Sequence, residues 1–312
     1  MDKIQTYEYN LEKIESSLMI SVWLRVIRVR FLLASIIAVS VGLALHWSQN
    51  GSIDYLDIIL TFAGVLALHA SVDLLNDYWD FKRGIDTKTT RTKMSGGTGV
   101  LPEGLLKPSS VYRAGVLFLI IGSLIGSYFV ITNGILIAII LGFAILSIYF
   151  YSTKIVDSGL GEFFVAVKGS MIVIGTFFIQ SGEVTVESIL AGIIIGTLSS
   201  LVLFIASFPD HDADKSKGRK TLVIIVGKEK AVKLFWLFPL VSYVVILIGV
   251  SVNLFPVLSL ISLLSFPLII KSGLGLQKNY DAINDLVPFM SSTLQFSRLT
   301  GILFALSFLI PF

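Results

Sequence analysis

The chain has no cysteine, only three histidines and little charge: 14% of its 312 residues are Asp, Glu, Lys or Arg, against about 25% in an ordinary soluble domain. Without cysteine there are no disulfides, no thiolate nucleophile and no Cys-ligated zinc or iron–sulfur site. His46, His69 and His211 stand isolated, with no metal-ligand spacing between them. The net charge of +3 is too small to suggest a nucleic-acid partner. An apolar run with a small-residue cleavage site is also missing from the N-terminus, so M-D-K-I-Q-T-Y-E-Y-N-L-E-K reads as part of a short cytosolic arm over residues 1–20, not a signal peptide.

What is present is hydrocarbon. The chain is 54% hydrophobic, with mean hydropathy +0.86, and cannot cover itself with polar surface in water. A helix crosses roughly 30 Å of bilayer core with about 20 apolar residues. Runs of that kind fall near 24–47, 56–76, 111–132, 134–152, 160–181, 186–208, 232–251, 253–271 and 292–311. The expectation is an all-α multi-pass membrane protein, a single domain over 1–312 with nine transmembrane helices around a central cavity. Basic residues gather in the arm, at helix ends and in the connections after the second, fourth, sixth and eighth spans. The intervening connections H-W-S-Q-N-G-S, I-T-N-G, Q-S-G-E-V-T-V-E and S-V-N-L hold none. That asymmetry predicts a cytoplasmic N-terminus, with Phe312 outside.

Two acidic clusters break this pattern. N-D-Y-W-D-F-K-R-G-I-D (Asn76 to Asp86) and P-D-H-D-A-D-K-S-K-G-R-K-T (Pro209 to Thr221) both follow long apolar runs. The even number of crossings between them puts both on the cytoplasmic side, in cap loops over 77–110 and 209–231. On a helix, Asn76 and Asp80 are i and i+4, hence on one face, and Asp210 and Asp214 repeat the spacing. Paired carboxylate sets suit Mg²⁺, which takes a few carboxylates together with substrate phosphate oxygens. Asp73 and Asp77 lie nearby. A calcium-loop reading of D-H-D-A-D-K-S-K-G fails, because Lys215 and Thr221 stand where that loop needs Gly and Glu.

Lys168 lies deep in the fifth span, where a lysine should face a cavity or an anion, unless it snorkels to the interface. The Gly-rich run M-S-G-G-T-G-V, with Gly84, predicts a loop able to fold over the site as a lid. Tyr149 and Tyr151 could line the site, where an aromatic face would stabilise a cation. One of Arg25, Arg28 and Arg30 could reach in from the first span.

At these residues the sequence resembles the UbiA superfamily of membrane-embedded prenyltransferases. N-D-x-x-D followed by a further Asp matches its first motif, and D-x-D-x-D with a following G-R-K-T matches its second. The long spacing to Asp86 and the stretch G-G-T-G-V-L-P-E-G-L-L look most like the 1,4-dihydroxy-2-naphthoate prenyltransferases of menaquinone synthesis. The resemblance implies Asn76, Asp80, Asp86, Asp210 and Asp214 as ligands of two Mg²⁺ ions that hold the diphosphate of an isoprenyl donor. Lys168, with Lys82 or Lys154, would neutralise that diphosphate, and Tyr151 would complete the site. It also implies an aromatic acceptor, a lipid bilayer around the enzyme, no obligate protein partner and a location in the cell membrane. Geranylgeranyl transfer to a glyceryl phosphate, 4-hydroxybenzoate prenylation and haem farnesylation remain open within that reading. A secondary transporter is the rival of another class, although its ionisable groups would sit near the midplane.

Overall fold

The computed structural model describes residues 18–86, 91–92 and 94–310, so most of the expected N-terminal arm, and Phe312, lie outside them. The described chain opens with a short helix, α1 (18–26). Its Val22, Trp23 and Val26 join Leu74, Val100 and Leu101 in a small apolar cluster. Long helices follow: α2 (Val29–Asn50), α3 (Tyr55–Lys82), α4 (Pro108–Asn133), α5 (Ile135–Phe150), α6 (Gly161–Ser181) and α7 (Val186–Ser216). Two short helices, α8 (Leu222–Val226) and α9 (Lys228–Leu234), lead into α10 (Leu237–Ser251), α11 (Phe266–Asn279) and α12 (Ile283–Ser307).

Local chemistry sets the ends of these elements. Asp54 caps α3, accepting from the backbone N–H groups of Leu56 and Asp57 at 2.9 and 3.1 Å. Thr185 and Ser188 exchange hydrogen bonds at the start of α7 in a capping box. Two of the tight connections each turn on one residue with positive φ. Gly134 (φ 86°) is the whole link between α4 and α5, and Asn253 (φ 59°) turns the chain after α10. Glycine reaches that region freely, and asparagine tolerates it.

Among the described residues, eight helices are long and apolar enough to cross a membrane. They include α5 continued to Ser158, α9 with α10, and α11 with the 3₁₀ stretch before it. The ninth expected span corresponds to α12, which is long enough at 25 residues but carries Asn284, Asp285, Gln295 and Arg298. It is too polar to stand with the eight. Much of it faces protein: α12 packs on α2, α7 and α11, with Met290, Phe296 and Phe304 buried. Outward, large apolar side chains are bare, Ile131 at 84% and Ile135 at 77% exposure, as a hydrocarbon solvent permits.

Small residues bring α6 and α7 close. A Cβ on Gly196 would lie 2.2 Å from the Ala166 carbonyl oxygen, and one on Gly169 would lie 2.9 Å from Gly196 Cα. Ser170 Oγ donates to the Gly192 carbonyl oxygen at 2.9 Å across the same seam. Close approach of backbones is the usual basis of helix association in lipid. Gly196→Val should therefore force the pair apart and cost about 1–3 kcal/mol. A lower midpoint in detergent thermal unfolding, with Gly142→Ala as the unstrained control (nothing lies within 4 Å of its Cβ position), checks this.

Candidate active site

The two acidic motifs ride on helix ends. α3 runs on past Asn76 to Lys82, and α7 runs through Pro209 to Ser216, so the first parts of the expected cap loops are helical. On α3, Asn76 Nδ2 donates to Asp80 Oδ2 at 3.2 Å, and Ser152 Oγ donates to Asn76 Oδ1 at 2.6 Å. Ser152 belongs to a π turn, Tyr151–Ile155, that follows α5.

Arg219 joins the two motifs. Its guanidinium pairs with Asp80 through Nη2 and with Asp214 Oδ1 through Nη1 at 3.2 Å, both carboxylates being buried. The turn after α7 aims it there. The backbone N–H groups of Lys217 and Arg219 both donate to the Asp214 carbonyl oxygen at 3.0 Å, and Gly218 between them has φ 80°. Burial works against the Arg219 charge, but Asp80 and Asp214 outweigh it and raise its pKa above the ordinary value.

Two further acids complete the cluster. Asp210 Oδ2 accepts from Gly96 N–H at 3.3 Å, while its Oδ1 is buried without a partner. Asp86 has a buried, unpartnered Oδ2. Burial first, then the charges of Asp80 and Asp77, push its carboxyl up to about 8. Asp77 faces elsewhere: it accepts from Thr98 N–H at 3.1 Å and Thr98 Oγ1 at 2.7 Å, and pairs with Arg28 at 3.3 Å. Those bonds fasten the Gly-rich loop over the opening. Gly97 lies so close to Asp86 that a Cβ there would meet its carboxylate at 2.6 Å.

Beneath this mouth lies a cavity of about 430 Å³. Asn76, Asp80, Asp210, Asp214 and Arg219 edge it, Met94 to Gly97 roof it, and Leu60, Val65, Ile125, Phe129 and Ile179 line its apolar part. Phe143 and Phe164 stack in its wall, centroids 5.5 Å apart and 11° from parallel. A deeper polar cluster interrupts the hydrocarbon. His69 meets Ser35 Oγ at 2.7 Å through Nδ1 and approaches Asp73 Oδ2 at 3.7 Å through Nε2, with Lys168 on the same cavity wall.

Of the residues expected here, Asn76, Asp80, Asp210, Asp214, Tyr151 and Lys168 line the cavity, and Asp86 adjoins it. Lys82 and Lys154 do not. They are exposed, with Lys82 Nζ over the Trp79 ring at 5.1 Å and Lys154 Nζ over the Phe150 ring at 4.7 Å. Tyr149 is 47% exposed on the outer surface. Of the three arginines, Arg28 enters the cavity wall, whereas Arg25 holds Glu103 outside it. Arg219, Arg83 and Glu162 were not singled out in the sequence. Arg83 forks onto Asp157 at 2.9 and 3.0 Å, and the buried Glu162 accepts from Leu222 N–H at 3.1 Å. The G-R-K-T run after the second motif was the available signal for Arg219.

Among the described residues, no three acidic or histidine side chains gather tightly enough to chelate an ion alone, since Arg219 stands between Asp80 and Asp214. The orphan oxygens of Asp86 and Asp210 nevertheless fit a hard cation that takes a few carboxylates and completes its shell elsewhere.

The sequence profile of the UbiA prenyltransferase family matches residues 35–293. The chain belongs to the UbiA prenyltransferase family. It is accordingly a prenyltransferase and an integral membrane protein. This family member is 28% identical over 264 residues to the 1,4-dihydroxy-2-naphthoate octaprenyltransferase of Bacillus subtilis (strain 168), the match covering 83% of each chain. The UbiA fold is shared with two solved structures. A digeranylgeranylglyceryl phosphate synthase aligns with TM-score 0.61 at 20% identity, over 93% of this chain and 99% of that one. A UbiA homolog from Archaeoglobus fulgidus bound to GPP and Mg²⁺ aligns with TM-score 0.60 at 14% identity, over 91% and 99%.

The roof of this UbiA-family site is strapped from outside. Arg25 donates to both Glu103 carboxylate oxygens at 2.9 and 2.7 Å, and Arg91 pairs with the same carboxylate. Those bonds hold the Glu103 pKa down to about 2, from 4.5. A depressed acid pKa stabilises fully above the unfolded value and loses that contribution as pH falls from 4.5 toward 2. Proteinase K should therefore cut the 94–107 loop equally slowly at pH 7 and pH 5, while Glu103→Gln should raise cutting several-fold at both.

Proposed function

We propose that this enzyme moves an isoprenyl group from a prenyl diphosphate onto an aromatic acceptor, with 1,4-dihydroxy-2-naphthoate as its acceptor in quinone synthesis. The observation that carries the reading is the Arg219 bridge. It brings carboxylates 139 and 5 positions away along the chain to one mouth of an apolar cavity, where an amphiphile's charged head would sit above its tail. The GPP and Mg²⁺ of the Archaeoglobus fulgidus homolog and the octaprenyltransferase name of the Bacillus subtilis relative support donor, metal and acceptor in turn. A glyceryl phosphate acceptor is the second reading, favoured by the fold shared with the digeranylgeranylglyceryl phosphate synthase.

In the proposed mechanism Asn76, Asp80 and Asp86 would hold one Mg²⁺ and Asp210 and Asp214 a second. Bound there, the two ions supply charge neutralisation for the departing diphosphate. Arg219, released from the carboxylates, turns to the phosphate oxygens, and Arg28 adds positive charge from the opposite wall. The donor's C1–O bond breaks with its electron pair leaving on the diphosphate. The allylic cation so formed faces the Phe143–Phe164 stack and Tyr151, whose ring faces favour positive charge. The roof from Met94 to Gly97 and the apolar walls keep water from capturing it. An electron-rich ring carbon of the acceptor then bonds to C1, and the ring regains its aromaticity by releasing the substituent that carbon carried, as a proton or, from a carboxylate, as CO₂. Charge asymmetry between the helix connections supports a mouth on the cytoplasmic side of the cell membrane, with α12 read as a ninth crossing.

Purified protein supplied with a prenyl diphosphate, 1,4-dihydroxy-2-naphthoate and Mg²⁺ should release diphosphate and form prenylated product. Asp80→Ala and Asp214→Ala should each lower turnover by about 100-fold or more, and chelation of the metal should abolish it. Undiminished turnover in either variant would remove the two carboxylates from the mechanism.

A further inference from the structure

We propose that Lys168 and Asp73 form the acceptor's own subsite, selective for a hydroxyaryl carboxylate: Lys168 pairs with the ring carboxylate, and Asp73 accepts a hydrogen bond from a ring hydroxyl. His69, hydrogen-bonded to Ser35 Oγ at 2.7 Å, stands 3.7 Å from Asp73. The inference rests on the transfer reading above and names the acceptor class that the reading requires.

Placement is the first argument. Asp73 precedes Asp80 by seven residues on α3, two turns on the same face and about 10 Å deeper. Lys168 lies seven residues inside α6 from Gly161, at a matching depth. That interval is the room a diphosphate and its bonded carbon occupy. A donor gripped at Asp80 and Asp214 therefore leaves its reacting carbon near the level of Asp73 and Lys168, with its charged head well above them.

The second argument is unmet bonding. Asp73 Oδ2 is buried and has no hydrogen-bond partner, its approach to His69 Nε2 being 3.7 Å. Among the described residues no ion pair closes on Lys168, although Asp73 is its electrostatic neighbour. Buried polar atoms ordinarily find partners, and a hydrocarbon tail offers none. A molecule carrying both an anion and a hydroxyl satisfies the pair together.

Charge supplies the third. A bare ammonium beside an allylic cation would oppose its formation, and an acceptor carboxylate on Lys168 cancels that field where the cation appears. A single lysine flanked by Asp73 matches a monoanion better than a phosphate dianion. The flat Phe143–Phe164 stack lines the same cavity and suits an aromatic ring.

The test uses equilibrium binding by calorimetry in lipid nanodiscs, with 1-hydroxy-2-naphthoate, 1-naphthol and a non-reactive prenyl thiolodiphosphate with Mg²⁺ as probes. Wild type should bind the hydroxynaphthoate more tightly than the naphthol. Lys168→Met should weaken hydroxynaphthoate by about tenfold or more and naphthol by no more than about twofold, with Lys168→Arg recovering most of the loss. Asp73→Asn should weaken both ring ligands several-fold. Neither variant should change thiolodiphosphate affinity, which also shows that each is folded. Equal binding of the two ring ligands by wild type, an equal loss of both in Lys168→Met, or a loss confined to the thiolodiphosphate would each overturn the subsite. Lys168-dependent hydroxynaphthoate binding by an enzyme that transfers nothing from prenyl diphosphate would keep the subsite and overturn the function proposed above.

Discussion

Two carboxylates from different helices share one guanidinium, and the form of the cavity mouth depends on that shared cation. At the edge of a hydrocarbon layer the effective dielectric is well below that of water, so like charges a few ångströms apart repel strongly. Arg219 offsets that repulsion, and its planar fork reaches both partners at once, where a lysine would serve one. The pattern recurs around it. Arg28 pairs with Asp77 and Arg83 with Asp157, each binding a motif-bearing helix end to another segment. At the far end of the bundle the ties are neutral: Gln180 holds the Asp54 backbone, and Asn133 donates to the Ile179 carbonyl oxygen. A resting site already organised around positive charge is one that divalent cations can take over, because the exchange replaces one positive charge by another without rebuilding the walls.

Polarity then falls with depth, and the cavity's outline follows the chemistry of an amphiphile. Asp80 and Asp214 stand at the rim, Asn76 and Asp210 one turn lower, and Asp73 another turn down on α3. Beyond them the walls are Leu60, Val65, Ile125 and Ile179. The i/i+4 spacing that places two carboxylates on one face also sets this graded descent, since each step along the face is a helical turn. Under the proposed function, phosphate, reacting carbon and tail would have separate levels as a result. The level of His69, Asp73 and Lys168 departs from the gradient by carrying ionisable groups among these walls, which is why it stands out as a binding element.

The acidic motifs were legible because their spacing is a helical period and their sequences sit at the ends of apolar runs. Eight of the nine expected spans are helices apolar enough to cross a membrane, while α12 is a full-length helix whose Asn284, Asp285, Gln295 and Arg298 dilute its apolarity. Which basic residue meets the motif carboxylates was not legible. Lys82, Lys154 and Arg219 are all basic residues beside the motifs, and sequence alone does not separate them. What separates them is backbone geometry: Gly218 turns Arg219 back onto Asp214, while Lys82 and Lys154 leave along the helix surface to lie over aromatic rings. The same limit explains Tyr149 and Tyr151, two residues apart at a helix end. Tyr149, in the last turn of α5, is exposed on the outer surface, while Tyr151, where the π turn begins, lines the cavity.

Three departures from regular geometry lie at the site. Arg28 is one of two non-glycine residues with positive φ (54°) among the described residues, at the junction of α1 and α2. Such a conformation costs of the order of 1–3 kcal/mol. Here it accompanies a guanidinium that reaches Asp77 from the opposite wall. Pro209, inside α7, cannot donate to the preceding turn and stands immediately before Asp210. The π turn on the third side presents Ser152 to Asn76. A straight helix in each place would present these groups at fixed steps of about 100° around its axis, with no freedom to aim three of them at one point. The irregular turns supply that freedom, and the glycine-packed seam between α6 and α7, with the apolar cluster under α1, holds the surrounding helices rigid enough for the aim to persist.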